Sequence, residues 1–145
     1  MNQKKIILLV EDNPDDEALT IRALKKNNIL NEVIVARDGA EAIDLLFGDN
    51  ENESIFPELI LLDLNLPKIS GLEVLKRIRS NEKTRMLPVV ILTTSNEERD
   101  RIQSYELCVN SYIRKPVDFK QFSESILQVG VYWLVLNEGP PQLKK

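Results

Sequence analysis

The sequence contains no histidine. This absence excludes a histidine-based nucleophilic triad, a histidine-ligated zinc site and a histidine phosphodonor. The single cysteine, Cys108, excludes an internal disulfide and a thiolate metal site, and it fits a reducing compartment. Any chemistry of this chain therefore depends on carboxylates, hydroxyls and lysine.

Long apolar runs and blocks of basic residues are also missing. The first apolar run, Ile6 to Val10, is too short for a signal peptide, and no later run approaches membrane-spanning length. The formal net charge is -4 with scattered lysine and arginine, which favours neither nucleic acid nor a membrane as a partner. We expect a cytoplasmic protein whose 145 residues form one domain.

Short runs rich in isoleucine, leucine and valine alternate with segments of helical spacing. The predicted strands are Ile6–Val10, Val33–Ala36, Leu59–Leu62, Val89–Leu92 and, more weakly, Ser111–Lys115. Unbroken apolar runs suit strands that are buried on both faces of a parallel sheet. The predicted fold is therefore α/β, with five βα units that form a doubly wound, five-stranded parallel sheet.

Two helix starts are recognisable from capping patterns. Asn13 followed by Pro14 is typical of an N-cap and a first helical residue, so the first helix should start right after Asp12. Ser95 and Glu98 have the spacing of a capping box and predict the start of the fourth helix. The body of that helix has few apolar residues, and we expect it to be loosely anchored.

Polar residues close the predicted strands, at the sheet edge where open parallel sheets bind ligands. They are Glu11, Asp12, Asp63, Thr93 and Lys115. Acids that meet at one edge repel each other, and a bound divalent cation relieves that repulsion. Mg²⁺ suits such a site because it prefers a few oxygen ligands and keeps exchangeable waters. The set predicts phosphoryl transfer to Asp63, with Asp12 and Asp63 as metal ligands. Lys115 is the predicted fixed cation, and Thr93 is the predicted hydroxyl donor.

Plainer interpretations exist for single residues of this set. Asp63 alone could be an ordinary turn residue after a strand, but the other strand-end residues argue against that. Asp15, Asp16 and Glu17 are interpreted as a solvated first helical turn, favoured by the helix dipole, and are left out of the site.

Four segments together resemble the response-regulator receiver family over roughly residues 5–126. They are Val10–Asp12, Leu62–Pro67 with Gly71, Leu87–Thr94, and Tyr112–Pro116. Each segment alone is weak, but their order and their positions at strand ends are specific. The resemblance implies a flavodoxin-like receiver fold and a phosphoryl group that comes from a partner histidine kinase.

The resemblance also assigns roles within the site. Asp63 matches the phosphorylated aspartate, and Asp12 matches the metal-binding acid. Glu11 is implied to hold the metal through water, and the backbone carbonyl of Asn65 is implied to be a further ligand. Lys115 matches the phosphate-binding lysine.

Two further residues match the family's conformational switch. Thr93 matches the switch hydroxyl and Tyr112 the switch aromatic, although Tyr112 could also be a plain core residue. We hypothesise that new phosphoryl oxygens draw in Thr93 and that Tyr112 then fills the space behind it.

The finer resemblance is to small stand-alone receivers that pair with bacterial phytochrome kinases. It rests on Val10–Asp16, on the acidic loop at 48–57 and on the end of the chain from Tyr132 to Pro141. It implies a single-domain response regulator without a separate output domain.

The expected partners of such a response regulator are a sensor histidine kinase, here a bacteriophytochrome, and a downstream phosphotransfer or effector protein. We expect it to catalyse only its own phosphotransfer and autodephosphorylation, so it is not predicted to be an enzyme.

Three other functions fit the sequence less well than a receiver. A phosphatase that forms an aspartyl phosphate would need an acid two residues after the nucleophile, where Asn65 stands. A degenerate receiver acting as a scaffold would not need the complete strand-end set. Nucleotide binding lacks a Walker or GxGxxG loop.

The end of the chain carries a heptad-like apolar stripe along the last predicted helix. The stripe consists of Phe119, Phe122, Ile126, Val129, Trp133 and Leu136. Further apolar residues between them give this segment more apolar surface than one face of the sheet can cover. Such an excess of apolar surface is typical of an interface. We predict a receiver domain over 1–128 and a dimerisation extension over 129–145. The predicted homodimer interface comprises Phe122, Ile126, Val129, Tyr132, Trp133 and Leu136. Packing within the chain, and a partly strand-like end, are the alternatives.

Overall fold

The computed structural model describes residues 5–29, 31–48, 54–116 and 118–141. Strands and helices alternate along these ranges. The elements are β1 Ile6–Val10, α1 Pro14–Lys26, β2 Glu32–Ala36, α2 Gly39–Phe47, β3 Leu59–Leu62, α3 Gly71–Ser80, β4 Val89–Thr93, α4 Glu98–Glu106, β5 Ser111–Arg114 and α5 Phe119–Gly130. A π-helical turn, Val131–Leu136, which we call the π segment, follows α5. All five predicted strands are confirmed to within one residue at either end, whereas the predicted loop at 48–57 falls partly outside the described residues.

The described strands form one parallel sheet in the order β2-β1-β3-β4-β5. The predicted doubly wound sheet is confirmed, and its winding reverses between β1 and β3. Val10 at the end of β1 is in register with Leu62 at the end of β3, which in turn is in register with Ile91 of β4. The residues that follow β1 and β3 therefore meet at one edge.

The sheet is covered by helices on both faces. Alternate strand residues such as Leu8 and Ile60 pack with α2 and α3, whereas Ile7 and Leu61 pack with α1 and α5. All four side chains are fully buried. Burial on both faces explains why the strands are unbroken apolar runs.

The start of α1 is as predicted, but the start of α4 is not. The side chain of Asn13 caps α1 by accepting hydrogen bonds from the backbone N–H groups of Asp15 and Asp16. In α4 the predicted capping box is wrong, because the helix begins at Glu98 and Glu97 takes the N-cap position without a side-chain cap bond. Within this fully described helix Ser104 alone is buried, which confirms the weak anchoring.

The part of the apolar stripe that lies on α5 faces inward, whereas Leu136 at its end is exposed. Phe122, Ile126 and Val129 are buried in the chain's own core beside α1, so the prediction that these three form a dimer interface is wrong. The segment Val131–Leu136 is helical and not strand-like, since the N–H of Asn137 donates to the carbonyl of Tyr132 five residues earlier. Gly130 lets this region approach the loop after α1, because a Cβ there would lie 2.1 Å from Ile29 Cδ1.

No described helix is both long enough and apolar enough to cross a membrane.

Candidate functional site

The five strand-end residues predicted from the sequence lie together at one edge of the sheet. Glu11 follows β1, Asp63 follows β3, Thr93 ends β4 and Lys115 follows β5. Glu11, Asp63, Thr93 and Lys115 are buried, whereas Asp12 is exposed. The edge therefore has a buried polar interior that opens to solvent beside Asp12.

Lys115 is the centre of the polar interior. Its ammonium group donates to Glu11 Oε1 at 2.5 Å, to Asp16 Oδ2 at 2.8 Å and to Asp63 Oδ2 at 3.1 Å. Burial alone would lower the pKa of Lys115, but the hydrogen bonds that it donates to Asp16 and Glu11, together with the nearby Asp63 charge, outweigh burial and raise the pKa above its ordinary value. Lys115 is therefore a permanently charged, fixed donor.

The Asp63 carboxylate is surrounded by donors on several sides. Besides Lys115, its Oδ1 atom accepts hydrogen bonds from the Thr93 hydroxyl at 2.8 Å and from the Asn65 backbone N–H at 3.1 Å. Only 6% of the residue's surface is accessible. These bonds hold the carboxylate in one orientation, with an ammonium and a hydroxyl placed to stabilise charge that develops next to it.

Three acids of the site could hold a divalent cation. One carboxylate oxygen from each of Glu11, Asp12 and Asp63 can be chosen so that all lie within 4.8 Å of one another. With Lys115 as the counter-charge, these acids and Asp16 leave the site with excess negative charge. Oxygen ligands, partial exposure and negative charge fit Mg²⁺. Asn65 lies on the exposed loop beside Asp63, and its role as a carbonyl ligand stays a prediction.

The pKa of Glu11 is raised to about 7. Burial is the main cause, and the charge of Asp63 adds to it, while the hydrogen bond from Lys115 acts in the opposite direction. The N–H of Asn13 also donates to this carboxylate, at 3.2 Å. Without a bound cation, Glu11 thus changes protonation state near neutral pH.

We predict that this titration makes Mg²⁺ binding pH-dependent. Below pH 7 a proton on Glu11 competes with the cation, so the dissociation constant should rise about tenfold between pH 8 and pH 6. Isothermal titration calorimetry of the chain with MgCl₂ at both pH values measures this ratio. In Glu11→Gln the binding should be weaker and nearly independent of pH, and an equal pH dependence in both proteins would contradict the assignment to Glu11.

Asp16 is a member of the site that sequence reasoning missed. It was interpreted as part of a solvated first turn, yet its carboxylate binds the buried ammonium of Lys115. The prediction of a surface turn holds for the other two acids of that turn. Glu17 pairs with Arg37 at the surface, and Asp15 is exposed. A pattern of acids after an N-cap does not indicate which acid turns toward the sheet.

The predicted switch residues are linked by hydrogen bonds to the loop after β4. The Thr93 hydroxyl donates to Asp63, and the hypothesis that phosphoryl oxygens draw in Thr93 while Tyr112 fills the space behind it stays a prediction. The Tyr112 hydroxyl donates to the carbonyl of Ser95 at 3.2 Å, and the Ser95 hydroxyl donates to Asp100 of α4 at 2.7 Å. The Ser95 backbone N–H also donates to the Thr93 hydroxyl, at 3.3 Å, so hydrogen bonds connect Asp63 through Thr93 and Ser95 to the first turn of α4.

Comparison with known proteins identifies the family. Residues 7–127 match the family described as the response regulator receiver domain. The chain belongs to this family. The receiver is also 46% identical over 134 residues to the response regulator Rcp1 of Synechocystis sp. (strain PCC 6803), which covers 92% of this chain and 91% of Rcp1.

Solved structures of related receivers agree with this fold. The Mn²⁺-bound form of Rcp1 superposes with a TM-score of 0.87 at 43% identity, covering 94% of this chain and 99% of that one. The phosphorylated cyanobacterial phytochrome response regulator RcpA superposes with a TM-score of 0.89 at 41% identity, covering 96% and 100%. The bacteriophytochrome response regulator RtBRR is 52% identical, with a TM-score of 0.75 and coverage of 97% and 86%. The receiver is thus related to phytochrome-associated response regulators.

Proposed function

We propose that this receiver accepts a phosphoryl group on Asp63 from the phosphohistidine of a sensor histidine kinase, in a Mg²⁺-dependent reaction. The phosphorylated chain then signals by contact with a downstream phosphotransfer or effector protein. Its catalysis is limited to its own phosphorylation and autodephosphorylation. The observation that carries the proposal is the buried Asp63 carboxylate, which accepts bonds from Thr93, Asn65 and Lys115 beside two further acids.

Asp63 is the nucleophile of the proposed reaction. One of its carboxylate oxygens forms a bond to phosphorus while the bond between phosphorus and the kinase histidine nitrogen breaks. Lys115 and the Thr93 hydroxyl stabilise the negative charge on the transferred oxygens. Mg²⁺, held by Asp12 and Asp63 with Glu11 nearby, supplies further positive charge when it is bound.

The names of two relatives support a phytochrome-type kinase as the partner. RcpA is described as a phytochrome response regulator and RtBRR as a bacteriophytochrome response regulator. The similarity extends over nearly the whole of this chain in both cases, including the residues after α5. We therefore propose a bacteriophytochrome as the phosphoryl donor.

Intact-mass spectrometry tests the central proposal. The full chain is incubated with Mg²⁺ and either acetyl phosphate or a phosphorylated histidine kinase, and the mass should increase by one phosphoryl group. Removal of divalent ions with EDTA should abolish this increase. No gain in Mg²⁺, or an equal gain in EDTA, would refute the proposal.

We also propose that the receiver forms a homodimer through the π segment. This segment rests on the core through Leu134, and it leaves Tyr132, Val135 and Leu136 exposed by 52%, 74% and 66%. Leu127 and Val131 lie on the same stretch of chain and are also partly exposed. Apolar surface concentrated in this way is typical of a protein interface. Of the interface predicted from the sequence, Tyr132, Trp133 and Leu136 are retained.

Leu136→Glu should convert the dimer into a monomer, because it places a charge within the proposed apolar contact. Light scattering coupled to size-exclusion chromatography measures the mass. Met86→Glu, an equal change at a residue that is 43% exposed in the loop before β4, is the control and should leave the dimer intact. A monomeric wild type, or a Leu136→Glu variant with the wild-type mass, would disprove this interface.

A further inference from the structure

We propose that Asp16 is a positioning residue for phosphoryl transfer, which holds the Lys115 ammonium while the other acids of the site bind the cation and the phosphoryl group. This inference rests on the proposed function of Asp63. Asp16 lies on α1, outside the strand-end positions that resemble the family's site, and it acts through Lys115.

The contact is short and bridges two separate elements. Asp16 Oδ2 lies 2.8 Å from Lys115 Nζ, and the side chains are 29% and 4% exposed respectively. Asp16 belongs to the first turn of α1, whereas Lys115 follows β5 at the other side of the site. The pair therefore joins α1 to the end of β5, and the same ammonium contacts the Asp63 carboxylate at 3.1 Å.

Asp16 is itself held in place. Its backbone N–H donates to the Asn13 side chain at 3.1 Å, and its carbonyl accepts the hydroxyl of buried Thr20 at 2.8 Å. Asn13 also donates its backbone N–H to Glu11. The cap of α1 thus sets the position of two of the three acceptors that Lys115 uses.

The three acceptors of Lys115 have different tasks. Glu11 and Asp63 belong to the set of acids that fits a divalent cation, and Asp63 also becomes the phosphoryl carrier. Among the described residues, Asp16 is the one partner of Lys115 that has neither task. A bound cation repels the ammonium and competes for the oxygens of Glu11 and Asp63. Asp16 then stays as the anchor that keeps Lys115 directed at the phosphoryl oxygens.

Asp16→Asn tests this role against Asp15→Asn. Asp15 is an exposed acid in the same helical turn, so its replacement removes an equal charge near the helix N-terminus without touching Lys115. The measurements are the maximal rate and half-saturating concentration for phosphorylation by acetyl phosphate in saturating Mg²⁺, the Mg²⁺ dissociation constant, and the NMR signal of the Lys115 ammonium in the ion-free protein.

We expect Asp16→Asn to lower the maximal rate about tenfold, with little change in the half-saturating donor concentration. The Lys115 ammonium signal should broaden or disappear, because its protons exchange faster with water once the anchor is lost. Asp15→Asn should match the wild type in both measurements, and Asp16→Glu should recover part of the rate. In a Lys115→Met background, Asp16→Asn should have no further effect on the rate.

Other outcomes would overturn the inference in distinguishable ways. If wild type is labelled and Asp16→Asn reacts at the same rate, the positioning role is refuted while the proposed function stands. An equal rate loss in Asp15→Asn would assign the effect to net charge, and a loss that persists in Lys115→Met would exclude an action through Lys115. If wild type itself is not labelled, the proposed function fails and the positioning role fails with it.

Discussion

Asp63→Asn should abolish phosphoryl labelling of the chain in Mg²⁺ without lowering its free energy of unfolding. The amide oxygen of asparagine is not a nucleophile, so the labelling rate should fall by more than about a hundredfold. Asparagine has nearly the same shape, and its single side-chain oxygen can still accept the hydrogen bonds from Thr93 and Asn65. The bond from Lys115 to the other oxygen of Asp63 is lost, but Lys115 keeps Glu11 and Asp16 as acceptors. The change also removes one of several negative charges that repel each other at this edge.

Mass spectrometry gives the labelling, and urea unfolding in EDTA gives the free energy of unfolding. Asp118→Asn is the control, since Asp118 is an exposed acid before α5 whose side chain makes no cap bond. It should be labelled like wild type. Undiminished labelling of Asp63→Asn would mean that another residue accepts the phosphoryl group, and loss of labelling through unfolding would leave the role of Asp63 without support.

Gly71→Ala should destabilise the chain by about 3 kcal/mol, because there is no room for a methyl group at the start of α3. A Cβ at Gly71 would lie 2.2 Å from the carbonyl oxygen of Asp63 and 2.6 Å from the Cα of Leu64. Both atoms belong to the backbone, which cannot move aside without displacing the Asp63 carboxylate. The labelling rate should therefore fall as well.

The direction of this effect separates two physical causes. Alanine is a better helix former than glycine by about 1 kcal/mol, so helix propensity alone would predict a gain in stability. Urea unfolding of Gly71→Ala measures which effect dominates. Gly139→Ala is the control, because a Cβ at Gly139 would meet no non-neighbouring atom of the described residues within 4 Å, and its stability should change by less than about 0.5 kcal/mol. A Gly71→Ala protein as stable as wild type would disprove the steric argument.

The fold and the strand-end residues of the site were predictable because the relevant patterns are local. Runs such as Leu59–Leu62 are buried on both faces, and that burial requires an apolar residue at every position. Once the strand order is parallel, Asp63 and Lys115 must lie at the same edge. Their hydrogen bond is the consequence.

Capping of α4 shows where local patterns mislead. Ser95 and Glu98 have capping-box spacing, but the Ser95 hydroxyl bonds to Asp100 and its carbonyl bonds to Tyr112. Asp100 belongs to the first turn of α4 and Tyr112 to β5, and with Ser95 bonded to both, the loop after β4 continues to Glu97 before the helix begins. A tertiary contact thus overrides the local capping preference.

By itself, the sequence determined the five strands, their order along the chain and the residue types at the sheet edge, because each follows from hydrophobic patterns over a few residues. Only the tertiary structure decided that Asp16 binds Lys115 and that Phe122, Ile126 and Val129 are buried while Val135 and Leu136 are exposed. Both outcomes depend on how α1 and α5 are rotated about their axes when they pack against the sheet and each other. That rotation is set by the shapes of all three surfaces together, and no segment of the sequence specifies it alone.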